Sequence, residues 1–228
     1  MFYKEAKETY DVGNTMSEKL LAVENAKTNT IPEESAIATF WDCNPYATVT
    51  QGHMMFAKKK NTPDAHWINI AKIALKKTKS DFDTAVFTFT KTSIGIFESF
   101  ISCWHEKYRT NVIRPETYIN LYIDEDWKPP LQTPPFPEYT SGHSVVSSCS
   151  SVILTSIFGD NFSYTDDSEI PFGLPKRNFK SFKQAASEAS ISRLYGGIHY
   201  RAAIENGVVQ GTNLGNYINK EISFLKSK

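Results

Sequence analysis

Three short segments of this 228-residue chain combine cations, imidazoles and a hydroxyl that together could bind an oxyanion. The central one is Ser141-Gly142-His143, which follows a proline-rich loop and precedes an apolar-periodic run, 145–158. Because proline cannot continue a helix, we expect a helix to begin at this turn. A helix N-terminus offers unpaired N–H groups, to which Ser and His add a hydroxyl and a titratable group. Taken alone, the segment also fits a plain N-cap followed by a surface histidine.

The other two segments flank this turn in the chain. Six residues separate Lys107 from Arg114, and five separate Arg193 from His199. A single cation at a helix end usually caps carbonyl oxygens or lies in solvent. Together, however, planar Arg forks, a compact Lys charge and backbone N–H groups meet the needs of a tetrahedral or trigonal-bipyramidal oxyanion. The ordered set therefore predicts an oxyanion site.

Composition excludes several other classes of function. The chain has 25 Lys+Arg and 25 Asp+Glu residues, so no net charge attracts it to nucleic acid or an anionic membrane. Cys43, Cys103 and Cys149 lack CxxC spacing, which argues against a disulfide framework or a zinc site and favours three buried small side chains. No stretch approaches the length of a membrane span, and the first residues contain no apolar signal core.

Helical periodicity dominates, and the fold class we expect is all-α, a helical bundle in a single domain over residues 1–228. Residues 1–79 would be flanking helices, with a truncated or minimal N-terminal part, and residues 80–228 the core that carries the three segments. The pattern predicts helices at 17–26, 33–41, from Thr62, from Phe82 to about Lys107, at 141–158, at 181–195 and at 199–225. Residues 108–138 are expected to be irregular, and no hairpin is predicted.

Two helices have patterns that predict how they pack. A three/four spacing predicts one long buried helix, and it is kept by Phe82, Val86, Phe89, Ser93, Phe97, Phe100, Ile101 and Trp104. In the last helix, Ala203, Gly207 and Gly211 recur every four residues, and this stripe predicts a second helix packed closely against it.

The three segments resemble those of the superfamily that joins type-2 phosphatidic acid phosphatases, class A bacterial acid phosphatases and vanadium-dependent haloperoxidases. The family pattern is K-x6-R-P, P-S-G-H and S-R-x5-H-x3-D. The first block is complete here, the second has Thr140 for Pro, and the third has Ala203 for Asp. The resemblance covers roughly residues 80–215.

The resemblance implies a role for each residue. His199 would bond phosphorus or vanadium, and His143 would be the general acid/base. The oxygens would be neutralised by Lys107, Arg114, Ser141, Gly142 and Arg193. Vanadate would be the cofactor of a haloperoxidase acting on halide and peroxide, whereas a phosphatase acting on phosphomonoesters through a phosphohistidine would need none. Relatives of this type are commonly exported, and the resemblance leaves the oligomeric state open.

At position 203 this chain has Ala, where the family has the Asp whose carboxylate orients the histidine. Glu205 lies about 200° around the helix from Ala203, so it is a poor replacement. Glu98, Glu106 or a backbone carbonyl are the replacements that the sequence suggests. With no replacement, the chain would be an oxyanion-binding relic with impaired turnover.

Three details favour the haloperoxidase branch over the phosphatases. The run 134–139, Pro-Pro-Phe-Pro-Glu-Tyr, resembles the lead-in found in haloperoxidase-like bacterial proteins. The segment 197–201, Gly-Ile-His-Tyr-Arg, is similar to the G-I-H-[WFY]-R of haloperoxidases. Trp104 and Phe136 stand where a fungal chloroperoxidase-like pocket places aromatic residues near the halide, although Trp104 also fits plain core packing. Haloperoxidases of this family are usually much longer than this chain.

Overall fold

The computed structural model describes residues 2–25, 32–43, 47–51, 54–58 and 60–223. Its helices are α1 (Phe2–Asn25), α2 (Glu33–Phe40), α3 (Pro63–Thr78), α4 (Phe82–Thr110), α5 (Pro115–Tyr122), α6 (Gly142–Phe158), α7 (Phe182–Tyr195) and α8 (Arg201–Glu221). The all-α helical bundle expected from the sequence is confirmed. None of the helices in these ranges is long and apolar enough to cross a membrane.

Two short antiparallel strand pairs accompany the helices, so the expectation of no hairpin was wrong. Strand β1 (Ala47–Gln51) pairs with β2 (Met54–Lys58), and β3 (Tyr164–Asp166) pairs with β4 (Arg177–Phe179). The loop between β3 and β4 contains a 3-10 helix, Ile170–Phe172. Strands this short carry too few alternating positions to stand out from a loop in sequence.

Helix boundaries follow the capping residues. Asp81 is the N-cap of α4 and accepts a hydrogen bond from Thr84 N at 2.9 Å, so the helix begins at Phe82 as predicted. Ser141 is the N-cap of α6 and accepts from Ser144 N at 3.4 Å.

Three helices differ from the predicted pattern. Helix α1 is longer than predicted, α5 occupies part of the stretch expected to be irregular, and α8 begins after His199 and ends at Glu221. Residues 26 and 224–225, which the predicted first and last helices included, lie outside the described residues.

Helix α6 lies at the centre of the bundle, between α4, α7 and α8. The small-residue stripe of α8 packs against it as predicted. A Cβ added at Gly211 would lie 2.2 Å from the Val145 carbonyl oxygen, and one at Gly207 would lie 2.9 Å from Ser144 Cβ. This close approach fixes the start of α8, just after His199, against the first turns of α6.

The apolar stripe of α4 is buried only in part. Phe89 and Phe100 pack against the core, but Phe82, Val86, Phe97 and Ile101 are exposed by 80%, 47%, 65% and 52% of their surface. Apart from Ile96, the fully buried face carries small and polar residues, Thr88, Lys91, Thr92, Gly95, Ser99, Cys103 and Lys107. Small side chains let α4 approach α6 closely, since a Cβ at Gly95 would lie 2.3 Å from Ile153 Cδ1.

Candidate active site

A cavity of about 580 Å³ opens beside the first turn of α6. Six of the residues singled out from the sequence line it: Trp104, Phe136, Gly142, His143, Arg193 and His199. The other three, Lys107, Arg114 and Ser141, are buried next to it. The structure therefore brings the three sequence segments together around one chamber.

His199 projects from a tight turn between α7 and α8. Gly197 provides the positive φ of 69° that this turn requires, and α8 begins two residues after His199. The Nδ1 atom lies 2.6 Å from Glu138 Oε1, and Nε2 lies 3.1 Å from Arg114 Nη1. Arg114 can only donate, so Nε2 must accept with its lone pair. Nδ1 therefore carries the hydrogen and donates a hydrogen bond to the Glu138 carboxylate.

The environment of His199 keeps its imidazole neutral. Burial lowers the pKa of His199 well below its usual value, and the positive charges of Arg114 and Lys107 lower it further. A neutral imidazole is the form that can act as a nucleophile or as a metal ligand.

Glu138 is a site residue that the sequence reasoning missed. Its side chain is 1% exposed, and the same Oε1 that contacts His199 accepts the Tyr200 N–H at 3.0 Å. Burial raises the pKa of Glu138 to about 7. This carboxylate makes the contact that the family's Asp would make from position 203. The signal was an acidic residue inside the proline- and aromatic-rich run 134–139.

The replacements suggested from the sequence were wrong. Glu98 is exposed, and Glu106 bonds Arg109 Nη2 at 2.6 Å. Both lie on α4, where nearness in sequence to Lys107 does not bring a side chain to His199. Ala203 is buried, and its carbonyl oxygen accepts the Ser141 N–H at 3.0 Å.

Arg114 and Lys107 bind backbone carbonyls of the proline-rich loop. Arg114 donates from Nε to Phe136 O at 2.9 Å and from Nη1 to Ile198 O at 2.8 Å. Lys107 Nζ donates to the carbonyl oxygens of Pro137, Glu138 and Thr140 at 3.0, 2.9 and 2.6 Å. Burial lowers the pKa of Lys107 to about 8 and that of Arg114 to about 10. The direct contact of Lys107 with an oxyanion stays a prediction.

Arg193 and His143 form another part of the cavity wall. Arg193 donates from Nη2 to Trp41 O at 2.7 Å and from Nε to Ser192 Oγ at 2.9 Å. Burial lowers the pKa of His143 well below its usual value, and the charge of Arg193 lowers it further. His143 Nε2 is buried and has no hydrogen-bond partner, which marks a place for a polar group of a ligand.

The charges around the cavity favour an anion. At the His199 end of the cavity, three buried cations, Lys107, Arg114 and Arg193, lie near one buried carboxylate, Glu138. Asp42 and Asp64 also line the cavity, and Asp42 is paired with Lys60 at 2.7 Å. The excess of positive charge at this end and the lone pair of His199 fit a phosphate-sized oxyanion such as vanadate, and the unpartnered His143 nitrogen can accept from a second polar ligand beside it.

Comparison with known proteins identifies the family of this chain. The family model for the VCPO second helical-bundle domain matches residues 121–226. The crystal structure of the first bacterial vanadium-dependent iodoperoxidase matches with a TM-score of 0.88 and 58% identity, over 100% of this chain and 51% of that one. The chain belongs to the vanadium haloperoxidase and type-2 phosphatidic acid phosphatase superfamily, in its bacterial branch.

More distant members of this superfamily share the fold. Crystal structures of a bacterial vanadium-dependent chloroperoxidase match with a TM-score of 0.68, at 17% identity in the holo form and 18% in the apo form. They match 96% of this chain, which spans 47% and 48% of those chains. The chain therefore spans about half the length of the solved relatives it matches. A search of curated proteins gave no match.

Proposed function

We propose that this chain carries the vanadate site of a haloperoxidase, an enzyme that oxidises halide with hydrogen peroxide. The observation that supports this most is the orientation of His199. Glu138 holds the neutral ring at Nδ1, and the Nε2 lone pair accepts from Arg114 at the cavity wall. The 58% identity to a protein titled an iodoperoxidase makes iodide the first halide to test.

Each residue has a role that its contacts make chemically suitable. His199 Nε2 would hold vanadate, while Arg114 and Arg193 would neutralise its oxygens together with the Ser141 hydroxyl and the Gly142 N–H. Bound vanadate would supply a Lewis acid that makes a peroxide oxygen electrophilic toward halide. The main role of Lys107 would be to hold the loop that carries Glu138, through hydrogen bonds to three carbonyl oxygens.

His143 and two aromatic rings would act on the reactants. With a lowered pKa, His143 is neutral at pH 7, so its unpartnered Nε2 can take a proton from hydrogen peroxide as it binds. Trp104 and Phe136, with ring centroids 5.0 Å apart, form an apolar wall where a weakly hydrated halide would lie. Halide and hydrogen peroxide are the small-molecule substrates proposed here.

The two other hypotheses make different predictions. A phosphatase would use the same cations and the same His199 nucleophile, with vanadate as an inhibitor rather than a cofactor. The relic hypothesis was motivated by Ala203, which cannot make the family's carboxylate contact to the histidine. Glu138 makes a carboxylate contact to His199 Nδ1 instead.

Vanadate add-back tests the proposal. Protein treated with a chelator is assayed for triiodide formation with iodide and peroxide, before and after addition of orthovanadate, and then with bromide and chloride. We expect turnover that depends on vanadate and that His199→Ala abolishes. Hydrolysis of a phosphomonoester without vanadate-dependent oxidation would favour the phosphatase, and vanadate binding with neither activity would favour the relic.

A further inference from the structure

A second constellation of reactive side chains reaches the same cavity through Cys43, and the proposed chemistry does not use it. Cys43 Sγ lies 3.5 Å from His66 Nδ1, and His66 Nε2 lies 2.9 Å from Asp166 Oδ2. A thiol, an imidazole and a carboxylate in this order place a nucleophile next to a base that a third group orients.

Three separate elements hold these groups in place. Cys43 follows α2, His66 lies in the first turn of α3, and Asp166 ends β3. The His66 ring stacks on Trp41, with centroids 4.5 Å apart and planes inclined by 17°. Asp166 Oδ1 accepts the N–H and the hydroxyl of Ser168 at 3.0 and 2.6 Å, which leaves Oδ2 to face His66.

The surroundings of His66 favour its protonated form. Burial opposes protonation of His66, but the hydrogen bonds with Asp166 and Cys43 raise its pKa to about 10. Glu169 adds a second carboxylate, with Oε1 at 3.5 Å from His66 Nδ1, and Asn61 Nδ2 donates to that oxygen at 2.8 Å. Two buried carboxylates can therefore stabilise the imidazolium that forms when His66 accepts a proton.

The other side of the sulfur faces the oxyanion cavity. Cys43 lines the same chamber as His143, Arg193 and His199. Burial lowers the pKa of Arg193, while Asp42 and Cys43 raise it, which places the sulfur within electrostatic reach of this guanidinium. A small polar molecule that enters the chamber can thus meet a thiol with a cation on one side and a base on the other.

The other two cysteines provide a natural contrast. Cys103 and Cys149 are fully buried, and their sulfurs lie 3.5 Å from the backbone carbonyl oxygens of Thr140 and Gly95. Burial raises the pKa of both thiols, to about 11 for Cys149. Neither has a histidine partner among its contacts in the described residues.

We propose that Cys43 is a peroxide-reactive thiol, that His66 is its base, and that Asp166 positions His66. The sulfur attacks one oxygen of hydrogen peroxide and the O–O bond breaks. His66 takes the thiol proton and returns it to the departing hydroxide. The products are a sulfenic acid on Cys43 and one water molecule, so Cys43 loses two electrons and the peroxide gains them. A small-molecule thiol would reduce the sulfenic acid through a mixed disulfide.

The test uses the whole chain without vanadate or halide, so its result is independent of the proposed haloperoxidase activity. Protein is treated with stoichiometric hydrogen peroxide and a dimedone-type probe, and peptides that contain each cysteine are quantified by mass spectrometry. We expect Cys43 to be labelled at least about tenfold faster than Cys103 or Cys149, because thiolate character and exposure govern oxidation. Dithiothreitol added before the probe should remove the signal.

A His66→Asn variant separates activation from mere exposure. Loss of a general base should slow labelling of Cys43 about 100-fold, whereas exposure alone predicts no change. Asp166→Asn should slow it about tenfold, and His105→Asn, at an exposed histidine that does not line the cavity, is the matched control that should leave the rate intact.

A comparison within the wild-type protein covers the case in which His66→Asn does not fold. Cys43 is 6% exposed, so a thiol without activation would be oxidised more slowly in the native protein than in the urea-unfolded chain. Faster oxidation of Cys43 in the native state supports the proposal. Slower native oxidation, or a folded His66→Asn variant with an unchanged rate, would overturn it.

Discussion

Replacing Glu138 by Gln tests the central feature of the site, the carboxylate that orients His199. Gln keeps a carbonyl oxygen that can accept from His199 Nδ1 and from the Tyr200 N–H, but it removes the charge. Partners of this kind are typically worth about 10- to 100-fold in affinity or activity. We therefore expect Glu138→Gln to weaken orthovanadate affinity and halide turnover about tenfold, and Glu138→Ala about 100-fold.

The same substitution should change how stability depends on pH. The pKa of Glu138 is raised from 4.5 to about 7, so the charged carboxylate is less stable in the folded protein than in the unfolded chain. This penalty is absent below pH 4.5, grows between pH 4.5 and pH 7, and is complete above pH 7. A rise of that size corresponds to about 3 kcal/mol, which Gln avoids. Relative to wild type, Glu138→Gln should therefore gain about 3 kcal/mol of stability between pH 4.5 and pH 8.

Two measurements check these expectations on the same protein. Calorimetric titration with orthovanadate at pH 8 gives the affinity, and urea unfolding at a series of pH values gives the stability difference. Glu106→Gln is the matched control, since Glu106 bonds Arg109 at the surface and should change neither quantity. Wild-type affinity in Glu138→Gln, or a stability difference that does not vary with pH, would refute the reasoning about Glu138.

Three further substitutions test neighbouring features. His143→Ala should lower turnover about 10²- to 10⁴-fold, while orthovanadate affinity by calorimetry stays within about threefold. Lys107→Met removes the ammonium that three carbonyl oxygens share as a donor and should cost at least about 2 kcal/mol in urea unfolding. Gly211→Ala drives a Cβ towards the Val145 carbonyl oxygen and should cost about 1–3 kcal/mol, against about 0.5 kcal/mol or less for the exposed Val209→Ala on the same helix. Unchanged unfolding midpoints in Lys107→Met and Gly211→Ala would contradict both packing arguments.

The position of the site could be predicted from the sequence because its residues lie at helix ends. The proline-rich loop forces α6 to begin at Ser141, and the Gly196-Gly197 break forces His199 into a turn before α8. These local signals need no knowledge of tertiary structure. The small-residue stripe that joins α8 to α6 was predictable for the same reason, since close packing of two helices requires it at fixed spacing.

The packing of α4 could not be predicted from its apolar periodicity. Part of its apolar stripe, including Phe82 and Phe97, faces outward, while Gly95, Ser99 and Cys103 face α6. Periodicity identifies a helix and a direction of greatest hydrophobicity, but close approach to a central helix selects small side chains instead. The helix was therefore assigned correctly and its orientation was not.

Glu138 escaped prediction because the family pattern places the orienting carboxylate on the same helix as its histidine. In the family pattern, a spacing of four residues fixes the contact between the Asp and the histidine. Ala203 cannot make this contact. Here the carboxylate comes from a loop, and a loop can orient His199 only if the loop itself is held.

Lys107 and Arg114 supply that restraint, since between them they bind the carbonyl oxygens of residues 136–138 and 140. The two cations thus act twice: they make the cavity attractive to an oxyanion, and they hold in place the carboxylate that keeps His199 oriented. In the family pattern the carboxylate lies on the helix, and the cations need only contact the oxyanion. Here the carboxylate lies on a loop, so the orientation of His199 also depends on Lys107 and Arg114. It follows that Lys107→Met should impair the His199 site even where Lys107 does not touch the bound ion.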